Sequence, residues 1–396
     1  MHCHAGAFQE QKERKLSMAR DMNFDDLSTL FAQADGMIDP TTGGVVPPIQ
    51  PATTFARNED YSPISADHIY ARDQNDLLRL GEKILAKSEQ ADDGLLFPSG
   101  MAAIAAVFRT VPNGGRVIVQ SGIYWGATQW IRNFCERRQI ELIEVDCTDV
   151  EQLRASAQSA NLVWVETPSN PYLKTCDIAA CKEIAQSMNA QLVVDSTAAT
   201  PVHCQPITLG ADLVMHSATK GINGHSDVLA GFLATADKES DVWKMIANDR
   251  YGAGAMLGSF EAWLLIRGMR TLPLRMKQMS ASAQQLAEFC QSHNQVEAVL
   301  YPGLADDPGH ETAKRQMKDG FGSLLSIILK GDKQNALDVT GRLKLFKRAT
   351  SLGGVESLVE HRHTIEQAVP ETLLRLSVGI EATADLISDL KQALDG

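Results

Sequence analysis

One short stretch of this sequence brings together residue types that can do covalent chemistry. The segment MHSATKGING, residues 215–224, places Lys220 close to Ser217, Thr219 and Gly221. A lysine amine can bond covalently to a carbonyl carbon, and hydroxyls with backbone N–H groups can hold a phosphate. A lysine among small residues also occurs in ordinary surface turns. The surrounding sequence therefore has to distinguish a reactive site from a turn.

Four predicted strands end in residues that suit one bound group. The run LLF continues into PSGMAA, where Gly100 and Met101 open a predicted helix. LVWVE is followed by TPSNP, which contains Asn170, and QLVVD ends at Asp195, two residues before Thr197. The fourth run, DLVM, leads into the lysine segment. Ligands of doubly wound sheets bind beyond the carboxyl ends of the strands, so we expect these residues to lie close together.

These residue types match the needs of a cofactor that carries a phosphate, an aldehyde and a pyridine nitrogen. Ser217, Thr219 and a helix N-terminus would hold the phosphate, and Lys220 would bond to the aldehyde. Asp195 would keep the ring nitrogen protonated, so that the ring withdraws electrons from the substrate. Singly, Asp195 could be a helix cap and Asn170 a turn residue. Their joint occurrence favours a cofactor site.

Apolar runs alternate with helical segments from residue 95 onward. Short, continuous apolar strands separated by helices indicate a parallel sheet that is covered on both faces. A long helical run at 259–293, interrupted at Pro273, leads into further strands and helices. The sequence therefore predicts an α/β fold. Its expected parts are an N-terminal arm (1–60), a large α/β domain (61–258) and a smaller C-terminal α+β domain (259–396).

Composition and charge narrow the class of protein. The 396 residues carry a net charge of −12, which argues against nucleic acid as a partner. No apolar run approaches the roughly 20 residues of a membrane span, and the start lacks the apolar core of a secretory signal, so we expect a cytoplasmic protein. Seven scattered cysteines suggest reduced thiols. His2, Cys3 and His4 could bind a metal, but we expect no metal site.

Several motifs are similar to those of the Cys/Met-metabolism family of pyridoxal-phosphate-dependent enzymes. They are SGMAA, ETPSNPYLKTCDI, VVDSTAATP, GADLVMHSATKGINGHSDVLAG, SLGGVESL and LLRLSVGIE, in the family's order. The resemblance covers roughly residues 38–394. It implies the aminotransferase-like fold, called fold type I, and pyridoxal 5'-phosphate as the cofactor. It also implies a homotetramer, a dimer of dimers whose active sites are shared across a subunit interface.

The same resemblance implies the residues that bind the cofactor. Lys220 would bond to the aldehyde and carry protons between substrate carbons, while Tyr70 and Arg72 would reach the site of the neighbouring subunit. The full implied set is Lys220, Asp195, Thr197, Ser217, Thr219, Gly100, Met101, Tyr70, Arg72 and Trp125.

A second group of residues is implied for the substrate. Arg375, in LLRLSVG, would bind the α-carboxylate in a bidentate manner, with Ser351 contributing. Asn170 would lie near the cofactor ring and the same carboxylate. Glu356 would meet the amino end of a cystathionine-like substrate, or else would be a surface carboxylate.

The chain departs from the family at two places beside the site. The segment WGAT puts Trp125 where the family has a tyrosine that stacks on the cofactor. Indole stacks well but cannot give up a proton as a phenol does, so Tyr124 could turn inward instead, or Lys220 could carry every proton. Gly221 replaces the family's tyrosine, which predicts open space behind the lysine. Together with Trp125 and Trp130, this change predicts a reshaped pocket.

The function implied is a γ-elimination or γ-replacement on sulfur amino acids, of cystathionine γ-lyase or γ-synthase type. The substrate would be cystathionine, or an O-acylhomoserine with a thiol. One alternative is β-elimination, as in a cystathionine β-lyase or a cysteine desulfhydrase. Another is a non-catalytic protein that keeps the cofactor. A nicotinamide dehydrogenase is disfavoured because no G-x-G-x-x-G follows any strand.

Overall fold

A computed structural model describes residues 26–72, 74–157 and 159–396 of the chain. The candidate metal residues His2, Cys3 and His4 lie outside these ranges. Within the described residues, no helix combines the length and the apolar character that a membrane span requires.

A seven-stranded sheet forms the core of the first half. Its strands are β1 (Asp93–Phe97), β2 (Arg116–Gln120), β3 (Glu141–Val145), β4 (Leu162–Glu166), β5 (Gln191–Asp195), β6 (Leu213–His216) and β7 (Gly231–Thr235). The spatial order is β1-β7-β6-β5-β4-β2-β3, and only β7 runs antiparallel to its neighbours. Strands β4, β5 and β7 are buried along almost their whole length, as expected for a sheet covered on both faces. The predicted mostly parallel sheet is confirmed.

Helices connect these strands and continue into the second half. They are Leu27–Ala32, Asp76–Ser88, Gly100–Arg109, Trp125–Arg138, Val150–Ser156, Ile178–Ser187, Thr200–His203, Asp241–Ala253, Ser259–Met269, Leu272–Gln291, His310–Gln316, Lys333–Arg342 and Thr383–Asp395. Short 3-10 helices span Pro206–Leu209 and Arg362–Thr364. Many begin at a capping side chain: Asn75, Ser99 and Asp177, for example, each accept a hydrogen bond from an N–H of the first turn.

A smaller sheet lies in the last hundred residues. Its strands are β8 (Val296–Leu300), β9 (Leu324–Leu329), β10 (Lys347–Arg348), β11 (Leu358–His361) and β12 (Leu373–Ser377), in the order β10-β11-β12-β9-β8. All neighbours are antiparallel except β10 and β11. The central strand β12 is fully buried, which places its polar residues in the interior.

Two long helices link the sheets. The predicted interruption of the 259–293 helical run is present, but the break falls at Arg270 and Thr271. Pro273 lies in the first turn of the second helix, where a missing N–H costs nothing. The first helix and the beginning of the second pack with the large-sheet core, while the end of the second packs with the small-sheet core.

The segment before the helix Asp76–Ser88 has little regular structure. Residues 38–72 form two isolated bridges, Thr54 with Tyr70 and Arg57 with Pro63. The segment exposes an unusual number of apolar side chains: Ile38, Val45, Val46, Ile49, Tyr61, Ile64, Ile69 and Tyr70. Such a patch on a surface marks an interaction site.

Candidate active site

Lys220 lies in the loop that follows β6, between the two sheets. Its Nζ donates a hydrogen bond to Ser351 Oγ over 2.9 Å, so a side chain from the second half holds the amine. Burial, and to a smaller extent the nearby Arg375, lower the pKa of the amine to about 8, while Glu360 acts in the opposite sense. A lysine with this pKa is partly neutral near neutral pH and can act as a nucleophile and base.

The N-terminus of the helix Gly100–Arg109 lies beside the lysine loop. The helix that begins at Gly100 is ten residues long, and a Cβ atom on Gly100 would lie only 2.9 Å from Cβ and Oγ of Ser217. The helix N-terminus and the Ser217 hydroxyl therefore approach each other because position 100 has no side chain. Free N–H groups at such an end attract anions. Met101 follows in the first turn and packs partly into the core.

Thr219 has a different role in this structure. Its hydroxyl donates to the carbonyl of Ala230 over 3.1 Å and accepts from the Ala230 N–H over 2.9 Å. The side chain thus fastens the lysine loop to the start of β7. Phosphate binding by Thr219 stays a prediction.

Asp195 and Thr197 form a linked pair at the end of β5. Asp195 Oδ1 accepts hydrogen bonds from the N–H of Thr197 over 3.0 Å and from its hydroxyl over 2.6 Å. The Thr197 hydroxyl in turn accepts the N–H of Ser217 over 2.8 Å. Burial raises the pKa of Asp195, although the bonds from Thr197 oppose the shift. The carboxylate is fixed and would gain from a nearby cation.

Glu166 is a site residue that the sequence interpretation missed. It pairs with Asp195 across β4 and β5, so both side chains leave the same face of the sheet. Its two oxygens accept the N–H of Tyr124 over 3.0 Å and the N–H of Asn170 over 2.6 Å. Burial and the charge of Asp195 raise the pKa of Glu166 to about 8. An acidic residue at a strand end, as at Asp195, was the available signal.

Arg375 lies at the centre of β12 and points into the site. It donates to Asn170 Oδ1 over 3.2 Å and to the Ser351 carbonyl over 2.7 Å. Across the sheet it faces Glu360, with 2.9 Å between Nη2 and Oε2. Burial lowers the pKa of Arg375 to about 10. Its Nε is buried without a hydrogen-bond partner in the described part of the chain, which leaves a donor for a ligand.

Ser351 joins the lysine to this arginine. Its hydroxyl meets Lys220 and its carbonyl meets Arg375. The residue has φ of 96°, a backbone conformation that is costly for any side chain other than glycine. The surrounding contacts hold this strained conformation, and it directs both polar groups of Ser351 into the site.

Tyr124 lies next to Trp125, the residue that the prediction placed on the cofactor ring. It directly precedes the helix Trp125–Arg138, and its ring covers the first turn, where a Cβ on Gly126 would lie 2.7 Å from the phenol oxygen. The phenol is also near enough to Arg375 to affect the pKa of that guanidinium. Trp125 lies at the edge of the Tyr124 ring, with 6.3 Å between ring centroids. This geometry favours Tyr124 as the ring that faces the cofactor.

The prediction of open space behind the lysine at Gly221 is wrong, whereas a pocket reshaped by Trp125 and Trp130 stays a prediction. A Cβ on Gly221 would lie 2.9 Å from Cγ2 of Thr200 and 3.4 Å from Sδ of Met276, so the space behind the lysine is filled. Trp130 stacks on Phe134, with ring centroids 4.8 Å apart, and packs against the large-sheet core.

Three predicted residues lie apart from this cluster. Arg72 lies over the rings of Tyr70 and Tyr251, at 5.3 Å and 4.6 Å from their centroids, and bonds to the Tyr251 hydroxyl. Glu356 is half-buried and accepts a hydrogen bond from Ser226, a few residues after the lysine. Their proposed contacts with cofactor or substrate stay predictions.

The described donor set fits pyridoxal phosphate. Ser217 and the start of the 100–109 helix suit the phosphate, Lys220 suits the aldehyde, and Asp195 suits the protonated ring nitrogen. A mostly parallel sheet with this set at its strand ends defines a pyridoxal-phosphate-dependent enzyme of fold type I.

Comparison with known proteins identifies the family within that class. The family described as "Cys/Met metabolism PLP-dependent enzyme" matches residues 28–395. A cystathionine gamma-synthase of Mycobacterium leprae is 40% identical over 380 residues, covering 93% of this chain and 97% of the relative. A cystathionine beta-lyase of Coxiella burnetii is 39% identical over 384 residues, with the same coverage.

A solved structure supports the same conclusion. The crystal structure of metB from Corynebacterium glutamicum matches with a TM-score of 0.90 at 38% identity, covering 94% of this chain and 98% of that chain. The chain belongs to the Cys/Met-metabolism family of pyridoxal-phosphate-dependent enzymes.

Proposed function

We propose that the protein catalyses γ-elimination or γ-replacement on a sulfur amino acid, with cystathionine or an O-acylhomoserine plus a thiol as substrate. The observation that carries the proposal is the pairing of a buried, partly neutral amine with a carboxylate-binding arginine. Ser351 connects Lys220 to Arg375 directly, so a substrate held by its carboxylate has its α-carbon beside the amine. The amine can move protons between the substrate carbons, and the arginine holds the substrate so that these carbons stay beside the amine.

Different residues bind the substrate and transfer protons. Arg375 and Asn170 bind the α-carboxylate and fix the orientation of the substrate. When bound, pyridoxal phosphate withdraws electrons from the substrate α-carbon. The Lys220 amine removes the α-proton and transfers protons at the β-carbon, while Asp195 would stabilise the protonated ring nitrogen of the cofactor. The Tyr124 phenol would give a proton to the leaving group.

β-Elimination is the second candidate, and the comparisons support it almost equally well. The Coxiella burnetii relative, named a beta-lyase, is 39% identical, against 40% for the Mycobacterium leprae relative, named a gamma-synthase. A β-elimination uses the same Lys220, Arg375 and Asp195, because it needs only removal of the α-proton and a β-leaving group.

The products formed from L-cystathionine separate these candidates. The purified holoenzyme is incubated with L-cystathionine, and keto acids and thiols are identified. 2-Oxobutyrate with cysteine supports γ-elimination, whereas pyruvate with homocysteine supports β-elimination. Parallel reactions of O-succinylhomoserine and O-acetylhomoserine with cysteine test γ-replacement. If no substrate yields product while the cofactor stays bound, the enzymatic proposal fails and the non-catalytic alternative stands.

We also propose a homo-oligomer, a dimer of dimers in the cytoplasm. The exposed apolar residues of segment 38–72 support an interface at that surface. Tyr70 and Arg72 lie in the same segment, at the surface beside Tyr251, and would reach the cofactor phosphate of a neighbouring subunit. The six described cysteines are buried and unpaired, as is usual in a reducing compartment.

Mixed oligomers test the shared site. Arg72→Ala and Lys220→Ala chains are each expected to be inactive alone. After they are unfolded and refolded together, hybrid sites should combine an intact lysine with an intact arginine and recover part of the activity. Molar mass from light scattering gives the oligomeric state of each sample. A mixture as inactive as its parents would contradict a shared site.

A further inference from the structure

A buried chain of four alternating charges extends from the substrate site into the small-sheet half. It runs from Arg375 to Glu360, then to Arg362 and finally to Glu366. The first three side chains are almost completely buried, with exposed fractions of 3%, 5% and 2%, and Glu366 reaches the surface at 26%. Burying charges this deeply is costly even when each has a partner, because the loss of hydration can exceed the gain from pairing. The chain of charges therefore needs an explanation beyond packing.

One oxygen atom is shared at the centre of this chain. Glu360 Oε2 lies 2.9 Å from Nη2 of Arg375 and 2.8 Å from Nη1 of Arg362. Arg362 continues through Nη2 to Glu366 Oε2 over 3.3 Å. A carboxylate that divides one oxygen between two guanidinium groups binds each of them less completely than in an exclusive bidentate pair.

We propose that Arg362 is a positioning residue for binding the substrate carboxylate, and that it acts on Arg375 through the shared Glu360. This inference rests on the proposed role of Arg375. Arg362 holds Glu360 back from an exclusive pair with Arg375, so the Arg375 guanidinium stays available to a carboxylate ligand. Its buried, unpartnered Nε agrees with this availability.

Charge balance gives the same result independently of hydrogen-bond geometry. With both arginines present, the charges of Glu360 and Glu366 are neutralised. Without Arg362, two carboxylates and one guanidinium leave one net negative charge beside the place where a substrate anion binds. Coulomb interactions act over several ångströms in a partly buried site, so this excess charge opposes carboxylate binding.

The experiment compares two ligands that differ only in the carboxylate. L-Alanine and ethylamine are titrated into holoenzyme, and binding is followed through the visible absorbance of the cofactor. In Arg362→Gln we expect the dissociation constant of L-alanine to rise about tenfold, while that of ethylamine stays within about twofold of wild type. A purely structural role of Arg362 would change both ligands alike, and that outcome overturns the proposal.

Two further variants keep the test decisive if Arg362→Gln does not fold. Glu366→Gln removes the outer negative charge from a half-exposed position, so L-alanine should bind about two- to threefold more tightly, with ethylamine unchanged. An unchanged ratio of the two affinities in Glu366→Gln contradicts the electrostatic coupling. Arg250→Gln is the matched control, since it breaks another largely buried Arg–Glu pair, with Glu82, next to the large sheet. It should leave the ratio as in wild type.

Arg375→Met separates the failure of this inference from that of the proposed function. The variant should abolish the preference for L-alanine over ethylamine if Arg375 binds the carboxylate. If Arg375→Met leaves the preference intact, the proposed carboxylate site is itself wrong. If Arg375→Met removes the preference and Arg362→Gln does not change it, only the role of Arg362 is refuted.

Discussion

Two pairs of carboxylates, of which all but Glu366 are buried, belong to the two sides of the active site, and their charges are compensated differently. On the large-sheet side, Glu166 and Asp195 end adjacent strands, and neither forms an ion pair with a lysine or arginine among the described residues. On the small-sheet side, Glu360 and Glu366 alternate with two arginines. One side thus has an excess of negative charge, and the other is neutral.

This difference matches the two ligands that the site has to hold. A protonated pyridine nitrogen is a cation, and an uncompensated carboxylate such as Asp195 stabilises it. A substrate carboxylate is an anion, and it needs an arginine whose own partners do not use all of its donors. We therefore propose that the large-sheet side holds the cofactor and the small-sheet side holds the substrate. Variants on the first side should act on turnover and cofactor state.

The largest effect is expected from removal of the amine that lies between the two sides. Lys220→Ala should lower kcat/KM at least about 10³-fold and abolish the visible absorbance of covalently held cofactor, because no other lysine among the described residues is buried and could replace it. Absorbance spectra and steady-state kinetics measure both changes. Lys238→Ala, at an exposed lysine paired with Asp92, is the control and should behave as wild type. Persistence of the visible band in Lys220→Ala would refute the covalent assignment.

Asp195→Asn tests the negative side directly. The substitution keeps the shape of the side chain but removes the charge, so kcat should fall by about 10²- to 10³-fold while KM changes little. Steady-state kinetics with L-cystathionine measure the two parameters. A rise in KM with unchanged kcat would invert the proposed division between the sides and contradict the comparison.

Tyr124 lies between the two sides, since Glu166 binds its N–H and its phenol is near Arg375. Tyr124→Phe should lower kcat by about 10- to 100-fold if the phenol donates a proton. Trp125→Tyr should change kcat by less than about twofold, because its ring lies at the edge of Tyr124. Turnover of the two variants is compared under the same conditions. A larger effect at Trp125 would show that the tryptophan, as the sequence suggested, is the ring that matters.

A substitution at Gly221 tests how tightly the residues behind the lysine loop are packed. Gly221→Ala places a Cβ 2.9 Å from Thr200 and should reduce the free energy of unfolding by about 1–3 kcal/mol. Denaturant unfolding measures the change. Gly252→Ala is the control: it lies within the helix Asp241–Ala253, and no atom lies within 4 Å of the added Cβ. This control should gain about 0.5–1 kcal/mol. Equal stability of the two variants would mean that space is open at Gly221 after all.

The smallest effect is a pH dependence of the cofactor-free protein. The pKa of Glu166 is raised to about 8 by burial and by Asp195, well above its value in an unfolded chain. Between these two values the folded state binds more protons than the unfolded state, so this group makes stability fall as pH rises. Glu166→Gln cannot titrate, and its stability relative to wild type should increase from about pH 5 to pH 8.

Thermal unfolding across this pH range measures the difference. Glu144→Gln is the control. It changes a carboxylate on β3 that pairs with Arg132, and its unfolding temperature should vary with pH as that of wild type does. If the difference in unfolding temperature between wild type and Glu166→Gln does not change with pH, the negative charge of the large-sheet side does not destabilise the folded protein.

The large-sheet side was largely predictable from sequence, for a physical reason. Each of its residues ends an apolar strand, and parallel strands bring their carboxyl ends to one edge, so Asp195, Ser217 and Lys220 could be placed together without long-range information. Glu166 has the same signal and was overlooked, because its role depends on two backbone N–H groups from separate loops.

The small-sheet side was harder to predict from the sequence. Arg375 was found through family resemblance. The balance of charge around it, however, depends on the strand register that places Glu360 opposite it, and no short motif encodes this register. The interpretation of Gly221 failed for a similar reason. Thr200 and Met276, which fill the space behind it, come from distant segments of the chain.

The hydrogen bond from Lys220 to Ser351 has a consequence for assembly of the molecule. The amine and its acceptor belong to different halves, so the environment that lowers the pKa of Lys220 arises only after the halves have docked. During refolding, the rate at which this lysine reacts with an aldehyde should therefore report when the second half docks onto the first. Measurements of helix content alone do not detect this docking step.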